Sequence, residues 1–122
     1  MGLDQYAFAR KGEPIRNRLE TEYEVENEIA YWRKHPNLQG WMENLWRKKG
    51  GEGEFNCVEV ELTFEDLEQL ETAIERAELP ETQGFFFGFN SDDEYKENDQ
   101  EFIREARERL ANGYKVVYTS WW

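Results

Sequence analysis

The stretch Glu28 to Trp46 (EIAYWRKHPNLQGWMENLW) constrains the fold more than any other. It carries three of the five tryptophans, Tyr31, the single histidine, His35, and an Arg33–Lys34 pair in an otherwise acidic chain. Leu38, Trp41, Met42 and Leu45 recur at the spacing of one helix face. Such a stripe must be buried, so the other elements read as its packing partners. Pro36 disfavours helical geometry at His35. A first helix, starting at Glu26 or Asn27 with Ile29 and Trp32 on one face, is therefore expected to stop or kink there. Pro36 then suits the first turn of a second helix running to about Lys49, where Arg47, Lys48 and Lys49 complement the dipole and Gly50-Gly51 ends it. Gly40 costs that helix about 1 kcal/mol relative to Ala unless a neighbour packs closely over it.

The remaining elements follow from pattern. Leu3 to Ala9 reads as a strand with Tyr6 and Phe8 on one face and Leu3 and Ala7 on the other, followed by the turn signal Lys11-Gly12-Glu13-Pro14. Ile15 to Asn27 fits either a strand continuation or a helix start. Phe55 to Leu62 alternates, with Val58, Val60 and Leu62 against Cys57, Glu59 and Glu61, as a half-buried strand does. Thr63 is a helix N-cap, and Phe64–Glu78 carries Leu67, Leu70, Ile74 and Ala77 on one stripe before Pro80. Gly84-Phe85-Phe86-Phe87-Gly88 predicts a short strand buried on both faces. Asn90 to Asp93 offers a turn and N-cap oxygens for a helix over about Glu94–Ala111, which buries Tyr95, Phe102, Ile103, Ala106 and Leu110 and stops at Asn112-Gly113. Tyr114 to Trp121 closes the chain as a strand.

This order predicts one α+β domain over residues 1–122, with a small mixed or antiparallel sheet of about four strands packed against three to four helices on one face. A chain of 122 residues buries enough surface to need no disulfide or metal. The formal net charge of −12 disfavours binding to nucleic-acid phosphates and to anionic membranes, both of which need clustered Lys and Arg. The lone Cys57 fits a reducing compartment, and no segment reads as a signal peptide or a membrane span. A soluble protein of a cell interior is expected.

Three blocks resemble a family of small, mostly uncharacterised proteins of bacteriophages, including cyanophages, and of prophage regions. They are the start, Met1-Gly2-Leu3-Asp4 with Tyr6; then Glu28-Ile29 with Tyr31-Trp32-Arg33-Lys34 and Trp41; then Gly84 to Gly88, continued by Asp93, Glu94, Asp99 and Ser120-Trp121. The resemblance implies a phage accessory protein acting in the host cytoplasm, and His35-Pro36 departs from the family pattern. Some relatives carry the label phosphoglycerate kinase, a two-domain enzyme that 122 residues cannot hold, and no phosphate-cradling glycine motif is present.

No catalytic constellation emerges. His35 has no Ser or Cys at a recognisable spacing, and 27 acidic residues make chance carboxylate pairs inevitable. No motif calls for a cofactor or a metal; the acids from Asn90 to Asp99 lack the ligand order of an EF-hand. The candidate ligand or partner contacts are Tyr31, Arg33, Lys34, Asp93, Tyr95, Asp99 and Trp121. Arg33 is expected to pair with Asp93 or Asp99, because a desolvated guanidinium needs a carboxylate. The expected function is non-enzymatic binding of a host or phage protein, with Trp46, Trp121 and Trp122 as anchors or with the acidic helix faces mimicking DNA. The competing expectation is a small ligand- or nucleotide-binding protein or enzyme, with its pocket between Tyr31–Arg33 and Gly84–Asp99.

Overall fold

The computed structural model describes residues 2–11, 15–16, 21–22, 25–82 and 92–122. Its elements are β1 (Asp4–Lys11), β2 (Ile15–Arg16), β3 (Thr21–Glu22), β4 (Val25–Arg33), α1 (Pro36–Lys48), β5 (Glu59–Leu62), α2 (Phe64–Glu75), α3 (Asp92–Ala111) and β6 (Lys115–Trp121). Four strands form one antiparallel sheet in the order β4-β1-β6-β5, while β2 and β3 pair with each other. This is the expected small α+β domain. The first and last long strands are its centre.

The sheet has two unlike faces. Inward lie Ala7, Trp32, Val60, Leu62, Val116 and Tyr118, which join Leu38, Met42, Leu67, Leu70, Phe102 and Ile103 from the helices in one buried core. Outward along β1 point Asp4, Tyr6, Phe8 and Arg10, alternating with buried Gln5, Ala7 and Ala9.

The segment from Glu26 to Arg33 is not the helix that its spacing predicts but strand β4, hydrogen-bonded to β1. Its register slips between Ala7 and Phe8, where Ala7 faces Ala30 and Phe8 faces Glu28, so Ile29 is the extra residue of a β-bulge. The bulge breaks the two-residue alternation and leaves Ile29 and Trp32 three apart, which imitates a helical face. The expected strand over Gly84–Gly88 lies outside the described residues.

Other boundaries move by a few residues. Strand β5 begins only at Glu59, because Cys57 adopts a left-handed φ of 60° in the bend before it. Helix α1 begins at Pro36, as expected, and the space above Gly40 is filled: a Cβ there would lie 1.9 Å from Thr82 Oγ1. Trp41 and Trp46 are half-buried at the core margin. Helix α2 opens with a capping box in which Thr63 and Asp66 exchange hydrogen bonds, 3.2 Å to Thr63 Oγ1 and 2.9 Å to Asp66 Oδ2. Burial alone would raise the Asp66 pKa, but the Lys49 ammonium and the Thr63 donors outweigh it and hold the carboxyl below its ordinary value.

Helices α1 and α3 end on left-handed Gly50 and Gly113, and α2 on left-handed Ala77. In each the backbone bonds are those of a Schellman turn, such as Glu78 N to Ala73 O at 2.7 Å and Tyr114 N to Arg109 O at 3.0 Å. No helix among the described residues is long and apolar enough to cross a membrane.

Candidate functional site

The bulge in β4 decides which side chains meet. Past it, Trp32 turns inward and Tyr31 and Arg33 turn outward, dividing the Tyr-Trp-Arg block between the two faces. Two clusters result.

The inner cluster is polar and sealed. Asp99, from α3 and 1% exposed, accepts a hydrogen bond from Trp32 Nε1 at 2.7 Å, and its second oxygen lies 2.9 Å from His35 Nε2. A carboxylate only accepts, so this contact sets the imidazole proton on Nε2. His35 is fully buried; its Nδ1 is 3.8 Å from Asp92 Oδ1, beyond hydrogen-bond reach, and the Tyr95 ring stacks on it at 5.0 Å. Gln5 holds the His35 backbone at both ends, accepting from its N–H at 2.8 Å and donating to its carbonyl at 3.0 Å. The Gln5 amide also donates to the Tyr118 hydroxyl, which donates to Gln39. Burial pushes that hydroxyl above the ordinary tyrosine range.

A histidine–aspartate pair of this geometry resembles the orienting half of a catalytic triad. Two observations among the described residues bear on that use. The opening beside Asp99, bounded by Ile74, Ala77, Leu79 and Asp92, is a cavity of about 40 Å³, which admits water and no substrate. The single thiol of the chain is not beside the pair: Cys57 is exposed and precedes β5, on the far strand of the sheet. The pair tethers α3 and the α1 N-terminus to the sheet. Among the described residues, no three His, Cys, Asp or Glu side chains converge to hold a metal ion.

The outer cluster is aromatic and open. Tyr6 faces Tyr31 on one side and Thr119 on the other. Its ring lies 5.1 Å from that of Tyr31 and stacks at 4.5 Å and 27° on Trp121, with Phe8 at 6.1 Å. Tyr31 is 43% and Trp121 42% exposed. The Tyr31 hydroxyl donates to Asp4 Oδ1 at 2.6 Å, and Arg33 Nη1 donates to the same oxygen at 2.9 Å. The local field is negative. The hydrogen bond to Asp4 raises the Tyr31 pKa, and burial followed by the charges of Asp4 and Glu28 raises that of Tyr6.

The expected pairing of Arg33 with Asp93 or Asp99 is thus replaced by one with Asp4, because β4 points the guanidinium away from α3. The third block reaches Arg33 only through its backbone: the Tyr95 hydroxyl accepts from Arg33 N at 3.0 Å and donates to its carbonyl at 2.7 Å. Those bonds tie Arg33 to α3; Gly84–Gly88, the other wall of the pocket expected between the two blocks, lies outside the described residues. Lys34 sits in a left-handed turn with φ of 56°, its N–H donating to Leu3 O at 2.9 Å, and Asp93 is exposed on the first turn of α3.

Of the seven candidates, Tyr31, Arg33 and Trp121 share the outer face, Tyr95 and Asp99 share the inner cluster, and Lys34 and Asp93 belong to neither. Sequence reasoning missed Asp4, Gln5 and Gln39. The signal for Gln5 was present, since it alternates with Tyr6 on the same inward face as Ala7 and Ala9.

A second concave region lies at the other end of the sheet. It is an open groove of about 410 Å³ lined by Lys11, Glu105, Glu108, Arg109, Asn112 and Tyr114. Lys11 and Arg109 each approach the Tyr114 ring at 5.1 Å, and the two glutamates balance their charge.

Comparison of the chain with protein-family models, with curated proteins and with solved structures finds no match in any of the three.

Proposed function

We propose that the protein is a non-enzymatic binding module that engages a host or phage protein through the outer face of its sheet, as a phage accessory factor in the host cytoplasm. The observation that carries this reading is the ring set on a face that no described helix covers, in which half-buried Tyr6 stacks on exposed Trp121 and meets exposed Tyr31 at a tilt. Large rings held rigidly by their own strands lose little conformational entropy on binding, and exposed rings of this kind serve as anchors in protein interfaces. The phage and cytoplasmic parts of the reading draw on the resemblance of the three sequence blocks.

A photo-crosslinking amino acid at position 31 tests it in lysate of infected and uninfected host cells. A discrete adduct is expected, lost on Trp121→Ser and absent when the crosslinker replaces Glu101 on the exposed side of α3. Equal labelling at the two positions would remove the sheet face as the recognition surface.

A further inference from the structure

We propose that the outer sheet face takes an extended basic segment of its partner, with arginine or lysine side chains over the Tyr31–Tyr6–Trp121 rings and against the carboxylates of Glu28 and Glu61. This rests on the binding reading above and adds the chemistry of the occupant.

Charge decides the occupant. Of the cations of this face, Arg10 lies between Glu26 and Glu59 and Arg33 bonds Asp4, while exposed Lys115, level with Arg10, makes no ion pair among the described residues. Glu28 and Glu61 are exposed and make no ion pair among the described residues. They occupy one row across the sheet, Glu28–Phe8–Val117–Glu61, directly below the row that holds Tyr31 and Tyr6. Aromatic faces attract cations, and a guanidinium also stacks on them. With a formal charge of −12 on the whole chain, a polyanion is repelled and a second copy of the chain is too, whereas a basic segment is steered in.

Geometry adds a spacing rule. Glu28 and Glu61 lie three strand separations apart, roughly 14 Å at about 4.8 Å each. Two side chains four residues apart on an extended peptide point the same way at about 13 Å. A segment crossing the strands with cations four residues apart meets both carboxylates; between them it passes Phe8 and Arg10, whose guanidinium lies 6.0 Å from the Phe8 ring centroid, while Val117 is buried.

The test uses four peptides, Arg-Ser-Val-Ser-Arg and its Lys, Gln and Glu counterparts, titrated at low salt while ring resonances of Tyr6, Tyr31 and Trp121 are followed by NMR. The arginine peptide is expected to shift all three rings and the glutamate peptide none. Glu28→Gln with Glu61→Gln should weaken that binding about fivefold, as two exposed ion pairs would, without moving the unfolding curve. Equal response to the neutral or acidic peptide would overturn the cationic occupant while leaving the face a binding surface. Shifts confined to the acidic faces of α2 and α3 would overturn it too. Silent rings with every peptide sink the basic segment alone if crosslinking at position 31 still captures a partner, and sink both readings if it does not.

Discussion

The two clusters are built from the same three strands and contain the same chemistry, yet they differ in what each ring can reach. Inside, Trp32 meets Phe102 edge-on at 5.0 Å, and its indole N–H ends on Asp99. Outside, Trp121 lies on Tyr6 with two-fifths of its surface in solvent. The inner rings exclude water, so each buried polar atom among them has to find a fixed partner or carry a desolvation cost. The outer rings face water and have no such obligation. The His35–Asp99 pair, for all its look of catalysis, ties three elements together here, and the aromatic residues at the surface are the ones the binding proposal uses.

The largest expected effect breaks the inner side. Trp32→Ala removes a fully buried indole and orphans one oxygen of Asp99, and should cost about 3–5 kcal/mol in denaturant unfolding. Trp121→Ala, the same change on the outer face, should cost less than about 1 kcal/mol, since much of that ring is already hydrated. Equal losses at the two positions would mean that the outer face is core to something else.

The next effect concerns Asp99. Its replacement by Ala leaves the Trp32 and His35 donors without an acceptor, at about 1–3 kcal/mol for each. A double-mutant cycle between His35 and Asp99 should give a coupling of at least about 1 kcal/mol, while a cycle between Arg33 and Asp99 should give none beyond error. Substantial coupling in the second cycle would restore the ion pair that the strand geometry denies.

That cycle also marks where the sequence was legible. Elements whose pattern is local came through: Val60 and Leu62 alternate with Glu59 and Glu61, Pro36 opens α1, and Thr63 caps α2. The placement of all helices on one face followed from their single apolar stripes. What failed was non-local. Strand β4 exists because it pairs with β1, some twenty residues earlier, and a single bulged residue hid its alternation. Reading Glu26–Arg33 as a helix then aimed Arg33 at α3, whereas the strand aims it at Asp4, whose only sequence signal was its place in the opening block. His35 looked like an isolated histidine for the same reason: its partners Gln5 and Asp99 lie 30 and 64 residues away.

A smaller effect lies at the edge of the inner cluster. Ala77 borders the cavity beside Asp99 and occupies the left-handed closing position of α2, which α1 and α3 give to glycine. Left-handed backbone costs an L-residue about 1–2 kcal/mol, and the extra freedom of glycine in the unfolded chain returns part of that. Ala77→Gly should thus stabilise the fold by about 0.5–1 kcal/mol, seen as a higher denaturant midpoint at unchanged slope. It should leave the ring resonances of Tyr6, Tyr31 and Trp121 where they are. A lower midpoint would mean that the Ala77 methyl group supports the cavity wall.

The smallest expected effect belongs to the outer cluster and reads its electrostatics directly. Asp4 is held below the ordinary carboxylate range first by the Tyr31 hydroxyl, against some desolvation, and then by Arg33. A depressed carboxyl contributes stability that is present above its unfolded value, near 3.9, and lost as pH falls through the folded value. Tyr31→Phe deletes the leading cause, so the Asp4 carboxyl resonance should titrate at higher pH, closer to that unfolded value. Stability at pH 7 should fall by less than about 0.5 kcal/mol, because the bond is exposed. The mutant and the native protein should converge in acid, where Asp4 is protonated in both. A titration that does not move would show that Arg33 alone holds Asp4, and would leave the Tyr31 hydroxyl free to meet a partner.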